Sequence, residues 1–335
     1  MSRVLCFGEL LLRLSPELGG HWLRNSSMPV YIGGAELNVA TALAKWEVPV
    51  SYLTALPDNY LSNEILSSLQ DRGIVTRDVI LSEGRIGSYY LPQGADLKNA
   101  GVIYDRAHSA FAQVLPAQID WDSAFAGVSW FHFSAISPAL NEAAALVCLE
   151  AVKEASARGI YISVDLNYRA KLWQWGKAPG EVMPDLVAYC NLVMGNIWAA
   201  EKMLNIPIEG PLVIKRDYLE QSRVSSAAIL RSFEKCSAVA NTFRFDKEKG
   251  LYYYTTLFES ERLYESKEYI TEYVIDKVGS GDCFMAGLIY GYVHKGLAQE
   301  IIDFATAAAF SKLFIKGDAT SATAEDIKKG YFDYA

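Results

Sequence analysis

Cysteine and histidine are scarce in this chain, and neither is patterned. The five cysteines, Cys6, Cys148, Cys190, Cys236 and Cys283, are an odd and scattered set with no C-x-x-C pair. That is reduced usage without a disulfide framework, and it points to a cytoplasmic protein. His21, His108, His132 and His294 share no ligand spacing, so they read as structural or surface residues and no metal-ligating residues are expected. No apolar run reaches the eighteen or so residues of a membrane span. The start, MSRVLCFGELLLRLS, shows no signal-peptide pattern. Basic charge is also short: 31 lysines and arginines against 39 acidic residues give a net charge of −8, which counts against nucleic acid as a partner. No G-x-G-x-x-G follows the first apolar strand, which weakens a dinucleotide-dependent dehydrogenase. Internal repeats, low-complexity tracts and long linkers are missing too.

The composition is otherwise that of a folded globular protein. With 51% hydrophobic and 21% charged residues, the 335-residue chain can bury a large core. Apolar strands alternate with helical patterns over much of it. Strands are expected at 4–7, 50–55, 77–81, 129–134, 160–165 and 191–194, and helices at about 34–46, 60–72, 139–158, 197–204 and 215–235. This βαβ rhythm predicts a doubly wound α/β domain with a mostly parallel central sheet flanked by helices. Short aromatic-rich strands at 10–14, 28–32, 86–91 and 102–105 break the rhythm. They predict a small β-sheet lid, formed by about 10–32 and 86–107, on a single domain spanning 1–335. Strands at 238–244 and 251–256 and helices at 282–295, 298–315 and 324–329 complete the expectation.

The most informative stretch is Asp276-Lys277-Val278-Gly279-Ser280-Gly281-Asp282, set between a strand-like segment at 268–275 and the apolar run that starts at Cys283. A glycine loop opening a helix exposes unpaired backbone N–H groups at the positive end of the helix dipole, where an anion is favoured. Asp282 would stand at that mouth, placed to take a proton from a hydroxyl attacking the anion. The plainer alternative is a turn whose aspartate only caps the helix. Gly33-Gly34 opens a second helix, with Asn38 pointing from its first turn. Asp165-Leu166-Asn167-Tyr168-Arg169-Ala170-Lys171 places polar and cationic groups just past a strand's carboxyl end, where open α/β sheets bind ligands.

Taken together, Gly-Gly-Ala-Glu-x-Asn near 34, Asp-x-Asn-x-Arg-x-Lys-Leu-Trp near 165, Gly195-Asn196, DKVGSGD before a helix, and Lys316-Gly317-Asp318 resemble the ribokinase or phosphofructokinase-B family of sugar kinases. Within that family the chain looks most like 2-keto-3-deoxygluconate kinases. The match runs from Val4 to about Ile327. The resemblance implies a ribokinase-like fold and an ATP- and Mg²⁺-dependent kinase acting on the terminal 6-hydroxyl of a sugar acid. Asp282 would be the general base, and Gly279, Ser280 and Gly281 the anion hole. Gly34, Asn38, Tyr89, Tyr104, Arg106, Arg169 and Asp318 would hold the sugar, while Asn167, Arg169, Asn196, Gly279 and Gly281 would face the nucleotide. Family habit adds a homo-oligomer formed through the lid. Two departures stand out. Asn196-Ile197-Trp198-Ala199 lacks the acidic residue of the relatives' Asn-x-x-Glu pattern, and Asn241-Thr242-Phe243-Arg244-Phe245 replaces their glycine-containing nucleotide loop. A kinase of a neutral sugar such as fructose or ribose, and a non-catalytic sugar-acid-binding protein of the same fold, remain as alternatives.

Overall fold

The structure, a computed structural model, describes residues 3–16, 27–93, 101–247 and 250–330. His21 lies outside the described residues, as do parts of the two lid segments. In chain order the elements begin with β1 (Arg3–Phe7), β2 (Leu11–Leu14), β3 (Val30–Gly33) and helix α1 (Ala35–Lys45). They continue with β4 (Val50–Leu53), β5 (Ala55–Pro57), α2 (Tyr60–Asp71), β6 (Ile74–Val75) and β7 (Ile80–Ser82). Next come β8 (Gly87–Tyr90), β9 (Ile103–Asp105), α3 (Trp121–Ala124), β10 (Val128–Ser134), α4 (Glu142–Ala157) and β11 (Tyr161–Asp165). After α5 (Pro179–Val187), β12 (Leu192–Gly195), α6 (Ile197–Leu204) and α7 (Lys215–Ser232), the chain forms β13 (Ala238–Lys247), β14 (Gly250–Glu259), β15 (Arg262–Glu265) and β16 (Tyr269–Thr271). Helices α8 (Ser280–Val293), α9 (Ala298–Lys312) and α10 (Ala324–Lys329) close it.

The main sheet runs β15-β14-β13-β12-β11-β10-β1-β4-β6, with β16 also on β14. From β13 to β6 every pairing is parallel, and β14 with its neighbours adds an antiparallel edge. Strand periodicity of two explains the two cores. Val4 and Cys6 of β1, Leu192 and Met194 of β12, and Ala238 and Ala240 of β13 join one core with α1, α8 and α9. The intervening Leu5, Phe7, Val193 and Val239 join the other with α4, α5 and α6.

A second sheet, β3-β2-β8-β9, stands apart from the first. Its inner face carries Leu11, Arg13, Tyr89 and Tyr104, while Leu12, Leu14 and Tyr90 alternate outward.

The segment 268–275 does not form the long strand expected before the glycine loop: pairing stops at Thr271. Its alternation reflects an edge strand three residues long, after which Ile275 and Asp276 donate backbone N–H groups to Leu313 O. Helix α5 was missed because Pro184 interrupts its interior and a loop with Trp173, Trp175 and Gly176 precedes it. The helix expected over 139–158 starts only at Glu142, where Asn141 caps it by accepting from Ala144 N at 2.8 Å.

Candidate active site

Helix α8 begins from Gly279, whose φ of 79° lies in the left-handed region. A Cβ there would fall 1.7 Å from the carbonyl oxygen of Asp318, so the close approach itself requires glycine. Ser280 turns its hydroxyl away to donate to Ala309 O at 2.9 Å. Gly279, Ser280 and Gly281 border the cavity at this helix N-terminus. Asp282 is the third helical residue and does not cap α8; its Oδ2 accepts from Asn38 Nδ2 at 2.7 Å. Close packing fixes the helix behind it, since a Cβ on Gly287 would come 2.5 Å from Ala305 Cα of α9.

Helix α1 opens the same way. Gly34 has φ 134°, and a Cβ there would meet Glu9 O at 2.4 Å. The N-termini of α1 and α8 thus converge on one cavity of about 620 Å³. Gly34, Asn38, Tyr89, Tyr104, Arg106, Asn167, Arg169, Asn196, Gly279, Ser280, Gly281 and Asp282 all border it.

Burial pushes the Asp282 carboxyl up to about 8. The Asn38 hydrogen bond and Arg169 oppose that shift, while the neighbouring charges of Asp165 and Glu36 add to it. Glu36, on the first turn of α1, is itself raised to about 7 by burial although Ser134 donates to it through both N and Oγ. A carboxyl whose proton affinity lies near neutrality, beside unpaired helix N–H groups, can accept a hydroxyl proton.

On one side of the cavity the accessory sheet contributes Tyr89 and Tyr104, with ring centroids 6.3 Å apart. Arg106 is committed to a partner that sequence reading missed. Its Nε and Nη2 lie 2.7 and 2.5 Å from Glu9 Oε2, and Ser109 Oγ donates to the other carboxylate oxygen at 2.5 Å. The sequence signal was an acid interrupting an apolar run. Arg169 makes no ion pair among the described residues, donating only to Tyr168 O at 3.2 Å. Lys171 Nζ donates to Val102 O at 3.1 Å, tying the β11 loop to the accessory sheet.

Asp318 stands one layer behind the cavity wall. It does not border the cavity. It is buried behind Tyr89, whose hydroxyl donates to its Oδ2 at 3.0 Å, and beside Arg13, whose Nε lies 2.7 Å from Oδ1. Asp318 can thus act on a ligand only through Tyr89 and the glycine loop.

The other side of the cavity is bounded by Asn167, Gly195, Asn196, Trp198, Thr242, Arg244 and Lys277. Asn167 sits at φ 25° and donates its N–H to Asp165 Oδ1 at 3.0 Å. Asn196 caps α6 by accepting from Ala199 N at 2.9 Å. The segment Asn241–Phe245 lies inside β13, paired residue by residue with β14. Asn241 is spent on Ser222 and Ser226, whereas Thr242 and Arg244 alternate toward the cavity.

The model of the pfkB family carbohydrate kinases matches residues 1–324. The chain belongs to the pfkB family of carbohydrate kinases. Among relatives of this kinase, a 2-dehydro-3-deoxygalactonokinase of Haloferax volcanii is 24% identical, over 98% of this chain and 96% of its own length. A 2-dehydro-3-deoxygluconokinase of Dickeya dadantii is 24% identical over 89% of this chain and 90% of its own. The crystal structure of a 2-dehydro-3-deoxygluconokinase from Thermotoga maritima superimposes with a TM-score of 0.88 at 34% identity, covering 98% of this chain and 99% of that one. The fold is accordingly the ribokinase-like α/β fold.

A carbohydrate kinase of this family implies ATP as phosphoryl donor. No group of three or more histidine, cysteine or acidic residues that could hold a metal exists among the described residues. Asp165 and Asp282 are the carboxylates that border the cavity. No helix among the described residues is long and apolar enough to cross a membrane.

Proposed function

We propose that this kinase transfers the γ-phosphoryl group of ATP to the terminal 6-hydroxyl of 2-keto-3-deoxygluconate, the sugar acid also called 2-dehydro-3-deoxygluconate. The observation that carries the reading is the convergence of the Asp282 carboxylate and the 279–281 N–H groups on a cavity bordered by Arg106 and Arg169. Asp282 takes the O6 proton as O6 forms its bond to the γ-phosphorus and the bond to the β-phosphate oxygen breaks. The N–H groups of Gly279, Ser280 and Gly281 stabilise charge on the migrating group, the positioning and electrostatic work on which phosphoryl transfer depends. Gly34, Asn38, Tyr89, Tyr104, Arg106 and Arg169 hold the sugar acid, with Arg169 the cation that its carboxylate meets. Asn167, Arg169 and Asn196 face the phosphates. Mg²⁺ bound with ATP would neutralise phosphate charge, and Asp165 at the cavity edge would be a carboxylate able to help hold it.

One observation favours a second reading. Glu9 neutralises Arg106, which leaves a less cationic sugar side than the sequence implied and suits a neutral sugar such as fructose. A panel comparing kcat/KM for 2-keto-3-deoxygluconate, fructose and ribose separates the two. The acid should be preferred by tenfold or more, and Arg169→Gln should erase that preference; a faster neutral sugar in the unsubstituted enzyme overturns the assignment.

The accessory sheet also supports a homo-oligomer. Its outer face aligns Leu12, Leu14, Val30, Ile32, Tyr90 and Ile103, of which Val30 and Ile103 are 54% and 52% exposed. The row Val30, Leu14, Tyr90 and Ile103 is an apolar strip suited to a second copy of the same chain, while the next row ends in Ser88 and Asp105. The five cysteines are buried and unpaired, which supports work in the reducing cytoplasm.

A further inference from the structure

Arg13 is among the most deeply buried large side chains, 1% exposed, yet it does not border the cavity. It stands on the inner face of β2 between two carboxylates. Its Nη2 donates to Asp276 Oδ2 at 2.7 Å, and its Nε lies 2.7 Å from Asp318 Oδ1 without hydrogen-bond alignment. Tyr31 of β3 covers the guanidinium at 4.4 Å. The Asp276 carboxylate holds the glycine loop directly, and Asp318 meets it through its backbone carbonyl. Asp276 Oδ1 accepts from Val278 N at 3.0 Å, and its Oδ2 accepts from Gly317 N at 3.2 Å. Asp318 receives the Tyr89 hydroxyl, and its carbonyl oxygen presses on Gly279.

Three of the four accessory strands meet this cluster, through Arg13, Tyr31 and Tyr89. Strand β3 touches it again at Gly33, where a Cβ would come 2.2 Å from Asp318 Oδ2. Lys312 lies alongside, donating to Ile315 O at 2.8 Å. A buried ionic cluster is weak evidence for stability, since well-packed apolar groups can do as well. What this one provides is a stiff link. At one end is the sheet carrying Tyr89 and Tyr104, and at the other is the loop that aims the 279–281 N–H groups.

We propose that Arg13 is a positioning residue that couples the two halves of the site, so that sugar bound against the accessory sheet tightens nucleotide binding, and the reverse. Linkage requires the two effects to be equal. The inference rests on reading the 279–281 N–H groups as the phosphoryl-binding element.

Calorimetric titration tests it, with a non-hydrolysable ATP analogue plus Mg²⁺ and the sugar that the substrate panel selects, 2-keto-3-deoxygluconate or fructose. A wrong sugar assignment then changes only the probe. Each ligand should bind the unsubstituted enzyme roughly fivefold or more tightly in the presence of the other, within the usual range of coupling. Arg13→Lys keeps the charge but cannot span both carboxylates. It should leave each ligand's affinity alone within about threefold and reduce the coupling to below about twofold. The charge-balanced pair Arg13→Met with Asp318→Asn should do the same, and it decides the matter if the single variant fails to fold. Undiminished coupling in either folded variant overturns the proposal. So does an unsubstituted enzyme that shows no coupling, or a variant whose sugar affinity falls equally with and without nucleotide.

Discussion

Asn38 on α1 donates to Asp282 on α8 across 2.7 Å, and its own Oδ1 is buried without a hydrogen-bond partner. One hydrogen bond thus fixes the orientation of the proposed proton acceptor and lowers its proton affinity, while an unused acceptor remains beside the cavity. Hydrogen bonds to charged groups contribute about 1.5–3 kcal/mol, or about one to two pH units. Asn38→Leu should therefore move the ascending limb of the pH profile of kcat/KM upward by about that amount. A profile in the same position would show that Asn38 does not act on the base.

The same carboxyl sets a pH dependence of stability. Its pKa is about 8 in the folded protein, against about 3.9 in an unfolded chain. Its contribution is fully present below about pH 4 and is lost as pH rises toward about 8, because the folded state resists ionisation. Asp282→Asn removes that penalty. Thermal unfolding should show the variant a few degrees more stable than the parent at about pH 9 and equal to it near pH 4.

If Arg106 holds the sugar as proposed, Glu9 tunes the charge that a ligand meets there. Glu9→Gln keeps an acceptor for the guanidinium and removes the neutralising charge. KM for the keto acid should fall by about fivefold, the effect of about 1 kcal/mol in a partly buried site, with fructose kinetics unchanged. An equal change for both sugars would contradict the electrostatic role. Arg106→Ala should instead destabilise the fold by about 3–5 kcal/mol, because Glu9 is left buried and unpaired.

Residues legible in the sequence were those whose chemistry is announced by their neighbours. Gly279, Gly281 and Asp282 sit in one loop, and Gly34 and Asn38 in one turn, so local spacing alone suggested two helix openings. Glu9 and Arg13 were not legible: they meet Arg106 and Asp276 across 97 and 263 residues, and only the fold brings them together. Asp318 was assigned to the sugar by resemblance, but Tyr89 and the glycine loop stand between it and the cavity. Among the elements, 268–275 alternated like a strand because Tyr269–Thr271 is one, and alternation does not show where pairing ends.

Association through the accessory sheet is checked by sedimentation velocity. Ile103 and Leu14 lie on its outer face, away from the cavity. Leu14→Asp together with Ile103→Asp should convert an oligomer to monomers while keeping the protein folded. Unchanged sedimentation would place any interface elsewhere.

The most direct measurement concerns the proton. Turnover of Asp282→Asn, followed by coupled ADP release with saturating sugar, should fall by about 100- to 10,000-fold, the usual contribution of a positioned general base. Sugar affinity, measured by titration in the same variant, should stay within about threefold. Turnover within tenfold of the parent enzyme would contradict the account, because the proton would then leave O6 without this carboxylate.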